Sequence, residues 1–143
     1  MKISEIIRSK GDTVITIRSE QTVGELLALL AEHGIGAVVV SDDDGESVGG
    51  IVSERDVVRH LSSGGSDILR GPVSAIMTRE VYCCGHEDQI EALERTMTER
   101  RIRHVPIVED GRLKAIVSIG DVVKNRITNL ENERSQLESY INQ

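Results

Sequence analysis

The segments Ile51–Val58 and Ile116–Val123 both read I-V-S-x-x-D-V-V, 65 positions apart. The likeness runs upstream, where Ile35-Gly36-Ala37-Val38-Val39-Val40 aligns with Ile102-Arg103-His104-Val105-Pro106-Ile107. A repeat of this period is one supersecondary unit used twice. Two copies stacked as an open solenoid would leave apolar faces uncovered. The repeat therefore predicts two units packed face to face about a pseudo-twofold axis, with two equivalent clefts between them. In a chain of 143 residues each half alone buries too little surface for comfortable stability, so the halves are expected to fold as one module.

Val14–Ile17 is a β-branched run that predicts a strand, and Ser19 to Thr22 supplies helix-capping hydroxyls. Val23, Leu26, Leu27 and Leu30 then recur at helical spacing up to Gly34. Ala37–Val40 reads as a buried strand, Asp42-Asp43-Asp44-Gly45 as an acidic turn, Val48–Ser53 as a second strand and Glu54–Leu61 as a closing helix. The second half repeats the order, with strands at Glu80–Cys83, Val105–Val108 and Leu113–Ser118 and a helix carrying Ile90, Leu93 and Met97. Ile3–Ile7 and Val73–Met77 precede the two units in matching places. The expected architecture is α/β, β-α-β-β-α in each unit: unit 1 over 1–63, a linker over 64–72 and unit 2 over 73–143. A continuous pattern from Asp121 to Ile141 predicts a final helix much longer than its counterpart. On it Val123, Ile127, Leu130, Leu137 and Ile141 mark a narrow seam interrupted by Arg134, suited equally to packing on its own module or to a dimer contact.

With no Phe, no Trp and only Tyr82 and Tyr140, the core must be aliphatic, and a flat ligand would rest on aliphatic side chains and backbone. A net charge of −7 argues against general nucleic-acid binding, although local arginine clusters can hold a small anion. Met1–Glu5 lacks the apolar stretch of a signal peptide, and no apolar run approaches the roughly 20 residues of a membrane span, so the expected location is the cytoplasm. Cys83 and Cys84 are neighbours on an expected strand, so one should be buried and the other nearer the surface. They lack a C-x-x-C or metal-spaced partner and read as small hydrophobes. The acidic turn lacks the twelve-residue calcium-loop pattern and its closing Glu, and projects its side chains into water. Phosphate-loop, dinucleotide-turn, zinc-protease and nucleophile-elbow motifs are all missing, and no enzymatic activity is expected.

The paired S-x-x-D segments and Arg103-His104-Val105-Pro106-Ile107 resemble the CBS-domain family, and specifically a tandem CBS pair, or Bateman module. The resemblance runs from about Ile3 to Ile127, and Ser53-Glu54-Arg55-Asp56 with Ser118–Lys124 is similar to a stand-alone subgroup of bacteria and plant organelles. It implies adenine-nucleotide sensing in one or both clefts, with AMP as the first expected ligand and ADP, ATP, NAD or S-adenosylmethionine as alternatives. It also implies a homodimer, no catalytic cofactor, and output through a separate, unidentified protein partner. Some related plant pairs regulate thioredoxins, which makes a redox partner conceivable.

Within that resemblance, Asp56 and Asp121 are candidates to accept hydrogen bonds from ribose hydroxyls, since an ionised acceptor strengthens them. Ser53 and Ser118, at strand ends before helix starts, can reach ribose or phosphate. Val81, Tyr82, Ala37, Pro106 and Thr16 belong to the strands that would frame the adenine, while Arg55, Arg103 and His104 are the cationic candidates for phosphate. The first half has Gly36-Ala37 where the second has Arg103-His104, and the second has Gly120 where the first has Arg55, which predicts unequal clefts. The cleft around Ser118, Asp121 and His104 is the expected tighter one, with Arg55 reaching across the pseudo-twofold axis. Each group has a plainer alternative: the aspartates as helix caps, Arg103 as a solvated charge, His104 as a strand-end residue. The competing function is an interaction or assembly protein with vestigial clefts.

Overall fold

Four consecutive buried residues, Ala37–Val40, form the central strand β2 of the first unit; such a run suits a strand covered on both faces. The computed structural model describes residues 1–11 and 13–142. In chain order the elements are α1 (Ile3–Lys10), β1 (Thr16–Ile17), α2 (Val23–His33), β2 (Ala37–Val40), β3 (Gly50–Ser53), α3 (Glu54–Gly64), α4 (Ile90–Arg100), β4 (His104–Glu109), β5 (Arg112–Ser118) and α5 (Ile119–Ile141). Two 3-10 turns, Ser66–Arg70 and Val73–Ala75, lie between α3 and α4.

β1 runs parallel to β2, with Ile17 opposite Val40, and β2 pairs antiparallel with β3 from Ala37↔Ser53 to Val40↔Gly50. The second unit repeats the antiparallel pair, with His104 opposite Ser118. Its expected first strand is reduced to one bridge. Cys84 donates its N–H to the Pro106 carbonyl and accepts from the Val108 N–H, while Val81, Tyr82 and Cys83 stay outside the ladder. Pro106 explains the loss: the next ladder bond upstream needs an N–H at that position, and proline has none. Cys84 is buried and Cys83 exposed, as the adjacent pair predicted.

The two hydrophobic cores interlock. Ile3 and Ile6 of α1 pack with Ile90, Leu93, Met97, Val105 and Val117 of the second unit. Val73 and Ile76 pack with Val23, Leu26, Leu30 and Val52 of the first. Backbone bonds fix both crossings: Ile3 N–H to Asp88 O with Ile90 N–H to Met1 O, and Val73 N–H to Gln21 O with Val23 N–H to Gly71 O. Each buried aliphatic side chain contributes about 1.5–3 kcal/mol, so neither core is complete without a segment from the other half.

The crossings then diverge. α1 continues as helix to Lys10, whereas Thr78 extends along β3 and exchanges two backbone hydrogen bonds with Ile51. This close approach depends on Gly50, where a Cβ would come within 2.9 Å of both the Met77 sulfur and the Thr78 carbonyl oxygen. In the acidic turn Asp42 is tied to Ser19 and Asp44 to Arg18. Hydrogen bonds from Ser47 and Ser41 hold the Asp43 carboxyl down to about 2. α5 buries only Val122 and exposes Val123, Ile127, Leu130, Leu137, Tyr140 and Ile141. Among the described residues no helix is long and apolar enough to cross a membrane.

Candidate functional site

Both S-x-x-D segments fold into the same device at a strand-to-helix junction. Ser53 caps α3: its hydroxyl accepts from the Asp56 N–H, and its own N–H donates to Asp56 Oδ2 at 2.8 Å. Ser118 and Asp121 repeat this reciprocal capping box at the start of α5, with Ser118 N–H to Asp121 Oδ2 at 2.9 Å. Capping therefore accounts for one carboxylate oxygen in each case. Among the described residues Asp56 Oδ1 makes no hydrogen bond, which leaves it able to accept from a ligand.

Asp56 lies in a cleft of about 730 Å3 formed jointly by both units. From the first unit come Ala37, Ser53, Arg55, Asp56 and Arg59; from the second, Val81, Tyr82, Cys83 and the stretch Arg100–His104. Of the sequence candidates, the structure thus gathers Ala37, Ser53, Arg55, Asp56, Val81, Tyr82, Arg103 and His104. Ser118, Asp121, Thr16 and Pro106 do not line this cleft. Thr16 pairs with Val39 in β1, and Pro106 is buried opposite Ile116. His104 was grouped with Ser118 and Asp121 in sequence and is indeed the register partner of Ser118, but in the cleft it joins Asp56.

Asp121 has a different neighbour. The Lys10 ammonium lies 2.7 Å from Asp121 Oδ2 and also donates to the Ile116 carbonyl at 2.7 Å. Burial pushes the Asp121 carboxyl up, but the bonds from Lys10 and Ser118 outweigh it and leave the group below its ordinary value. By the backbone register of the two crossings, the residue matching Lys10 is Glu80, which lines the cleft around Asp56. A carboxylate there cannot neutralise Asp56, so the two equivalent positions diverge in charge: Lys10 neutralises Asp121 through the capping oxygen Oδ2, leaving its Oδ1 without a hydrogen bond as in Asp56, whereas no cation pairs with Asp56 among the described residues.

The cleft contains five arginines, Arg55, Arg59, Arg100, Arg101 and Arg103. Glu54, Asp56 and Glu80 line it too, yet among the described residues none of the five guanidinium groups forms an ion pair. Arg100 stacks over the Tyr82 ring at 4.9 Å from its centroid. Arg101 ends α4 in the left-handed conformation, φ 55°. The matching helix end in the first unit carries Gly34, φ 61°. Holding a side chain in that conformation costs about 1–2 kcal/mol that glycine avoids. Burial keeps the His104 imidazole below its ordinary value; Lys10 and Arg103 add to this, against Asp121 and Glu54.

Lys10, Arg59 and Glu80 escaped the sequence reading. Arg59 follows Arg55 by one helical turn, a spacing that puts both on one face of α3. Lys10 and Glu80 could be matched only after the two pre-unit segments were aligned to their last residues, where their helical and extended forms differ.

A model of the CBS domain matches residues 3–63 and 73–127. The mitochondrial CBS domain-containing protein CBSX3 of Arabidopsis thaliana is 31% identical over 146 residues, covering 97% of this chain and 71% of its own length. The crystal structure of a CBS-domain-containing protein from Agrobacterium tumefaciens superposes with a TM-score of 0.84 at 43% identity, over 88% of this chain and 99% of that one. A CBS domain pair crystallised with 5'-methylthioadenosine and S-adenosyl-L-methionine superposes with a TM-score of 0.76 over 87% of this chain and 98% of its own; at 23% identity that likeness carries the fold.

Proposed function

The chain belongs to the CBS-domain family as a tandem pair, and from that premise we propose that it binds an adenine nucleotide without transforming it and passes the signal to a separate protein. The observation that carries this reading is the cleft itself. A carboxylate with one uncommitted oxygen, Asp56, shares the cleft with aliphatic residues Ala37 and Val81 and with guanidinium groups that lack ion-pair partners among the described residues. Those are the complements of a ribose, an adenine and a phosphate. AMP is the smallest ligand that engages all three; ADP, ATP and NAD engage them with more phosphate. The Ser53 hydroxyl donates to Asp56 Oδ2 and is committed within the capping box.

A homodimer is supported by the unburied apolar residues of α5. The assembly reading, with vestigial clefts, draws on the same α5 stripe and leaves the arginine cluster without a role.

Identifying nucleotides carried through native purification by mass spectrometry, followed by calorimetry with AMP, ADP, ATP and NAD, tests the proposal. A ligand at one hundred times its dissociation constant should add about 2.7 kcal/mol to folding stability. Adenine nucleotides should raise the melting temperature well above the effect of guanine nucleotides. No shift with any adenine nucleotide would leave the assembly reading in its place.

A further inference from the structure

Both units supply arginines to the cleft. Arg55 and Arg59 project from α3 of the first unit, and Arg100, Arg101 and Arg103 from the joint between α4 and β4 of the second. The second set is absent from the repeat partner: where the second unit reads Arg100-Arg101-Ile102-Arg103, the first reads His33-Gly34-Ile35-Gly36. The fold at this joint is therefore satisfied by glycine, and at Arg101 glycine is the less strained choice, since the backbone there is left-handed. A side chain kept in a disfavoured conformation at the rim of a cleft points to a role in that cleft.

A guanidinium group grips phosphate through a planar fork of two N–H donors. The three terminal oxygens of one phosphate are engaged by two or three such forks. Five arginines drawn from two units, around a cleft of about 730 Å3, offer more donors than a monophosphate can use.

Resting on the nucleotide reading above, we infer that this cleft selects a nucleotide carrying two or more phosphates, the α4–β4 arginines holding the phosphates beyond the first. The ligand spans both units: Asp56 of the first unit holds the ribose, and the phosphate chain reaches toward the second unit.

Calorimetry on the full chain with adenosine, AMP, ADP, ATP and inorganic triphosphate, at one ionic strength and without divalent cation, reads this directly. Affinity should climb at least tenfold from AMP to ATP, the scale of one added charge-assisted contact at roughly 1.5 kcal/mol or more. The double variant R101G/R103G, which restores the residues of the other unit, should lose more affinity for ATP than for AMP. Arg59→Gln, on the α3 wall with Asp56, should weaken AMP and ATP by similar factors, and a loss confined to ATP there would overturn the assignment to the α4–β4 joint. AMP binding as tightly as ATP would overturn the inference and leave the nucleotide reading standing. Inorganic triphosphate binding as tightly as ATP, or binding by none of the five, would overturn the nucleotide reading and this inference with it.

Discussion

Asp56 divides its work between two oxygens. Oδ2 closes the capping box with Ser53 at the start of α3, while Oδ1 makes no hydrogen bond among the described residues and is the oxygen we propose for the ligand. Asp56→Ala should therefore lose both functions: about 1 kcal/mol of folding stability from the cap, and roughly 10- to 150-fold in nucleotide affinity from the charged acceptor. Asp56→Asn retains an oxygen for the cap and should hold most of the stability, measured by urea denaturation, while affinity measured by calorimetry still falls. An asparagine variant with undiminished affinity would reduce Asp56 to a cap. The ambiguity is intrinsic to the sequence, because S-x-x-D spells both a capping box and a ribose acceptor, and only geometry shows which oxygen is committed. His104 carries a pH effect of calculable sign. Its folded-state pKa lies below the ordinary 6.5, so the unfolded chain takes up the proton first as pH falls. Stability should decline as pH drops from 6.5 toward the folded value and be unaffected by this group well above 6.5. His104→Gln should flatten that part of the urea-derived stability curve.

At the scale of elements, the helices and strands of the repeat were readable from period and caps, and their bounds follow the hydrophobic pattern closely. Two features were not. The expected strand at Glu80–Cys83 shrinks to Cys84 because Pro106, two positions into β4, withholds the N–H that its extension needs. The exchange of pre-unit segments also lies outside a linear pattern: Ile3 and Val73 are apolar at matching places whichever core receives them. That exchange places Lys10 on Asp121 and Glu80 in the cleft around Asp56. Calorimetry should accordingly find one nucleotide per chain; two sites of equal affinity would mean that Lys10 yields its place to ligand. The opposite crossing depends on Gly50, beneath Met77 and Thr78. Gly50→Ala should destabilise the fold by about 1–3 kcal/mol, because a methyl group there has to displace the Thr78 backbone. At the equivalent point of β5 the chain already carries Ala115, buried, where α1 leaves room for it.

For the whole molecule, the outstanding surface is α5. Ile127 and Leu130 are each more than half exposed, as are Leu137, Tyr140 and Ile141 beyond them, an arrangement a second copy would cover. The helix is also joined to the cleft. The Ile119 N–H, at its first residue, donates to the Arg103 carbonyl at 2.8 Å, and Arg103 lines the cleft. A ligand drawing on Arg103 thus acts one hydrogen bond from the start of α5, and it shifts the helix to the extent that two helix positions differ in affinity for that ligand. If the proposed dimer forms through α5, charging the stripe with Ile127→Glu and Leu130→Glu together should yield a monomer in sedimentation while leaving calorimetric nucleotide binding measurable, since neither residue reaches the cleft. If dimerisation carries the output, nucleotide should change the dimer dissociation constant of the native chain, and by linkage the monomeric variant should bind nucleotide with a correspondingly altered affinity. A variant that stays dimeric would move the interface off α5. Equal affinities in monomer and dimer would uncouple assembly from sensing and place the output on another surface of the pair.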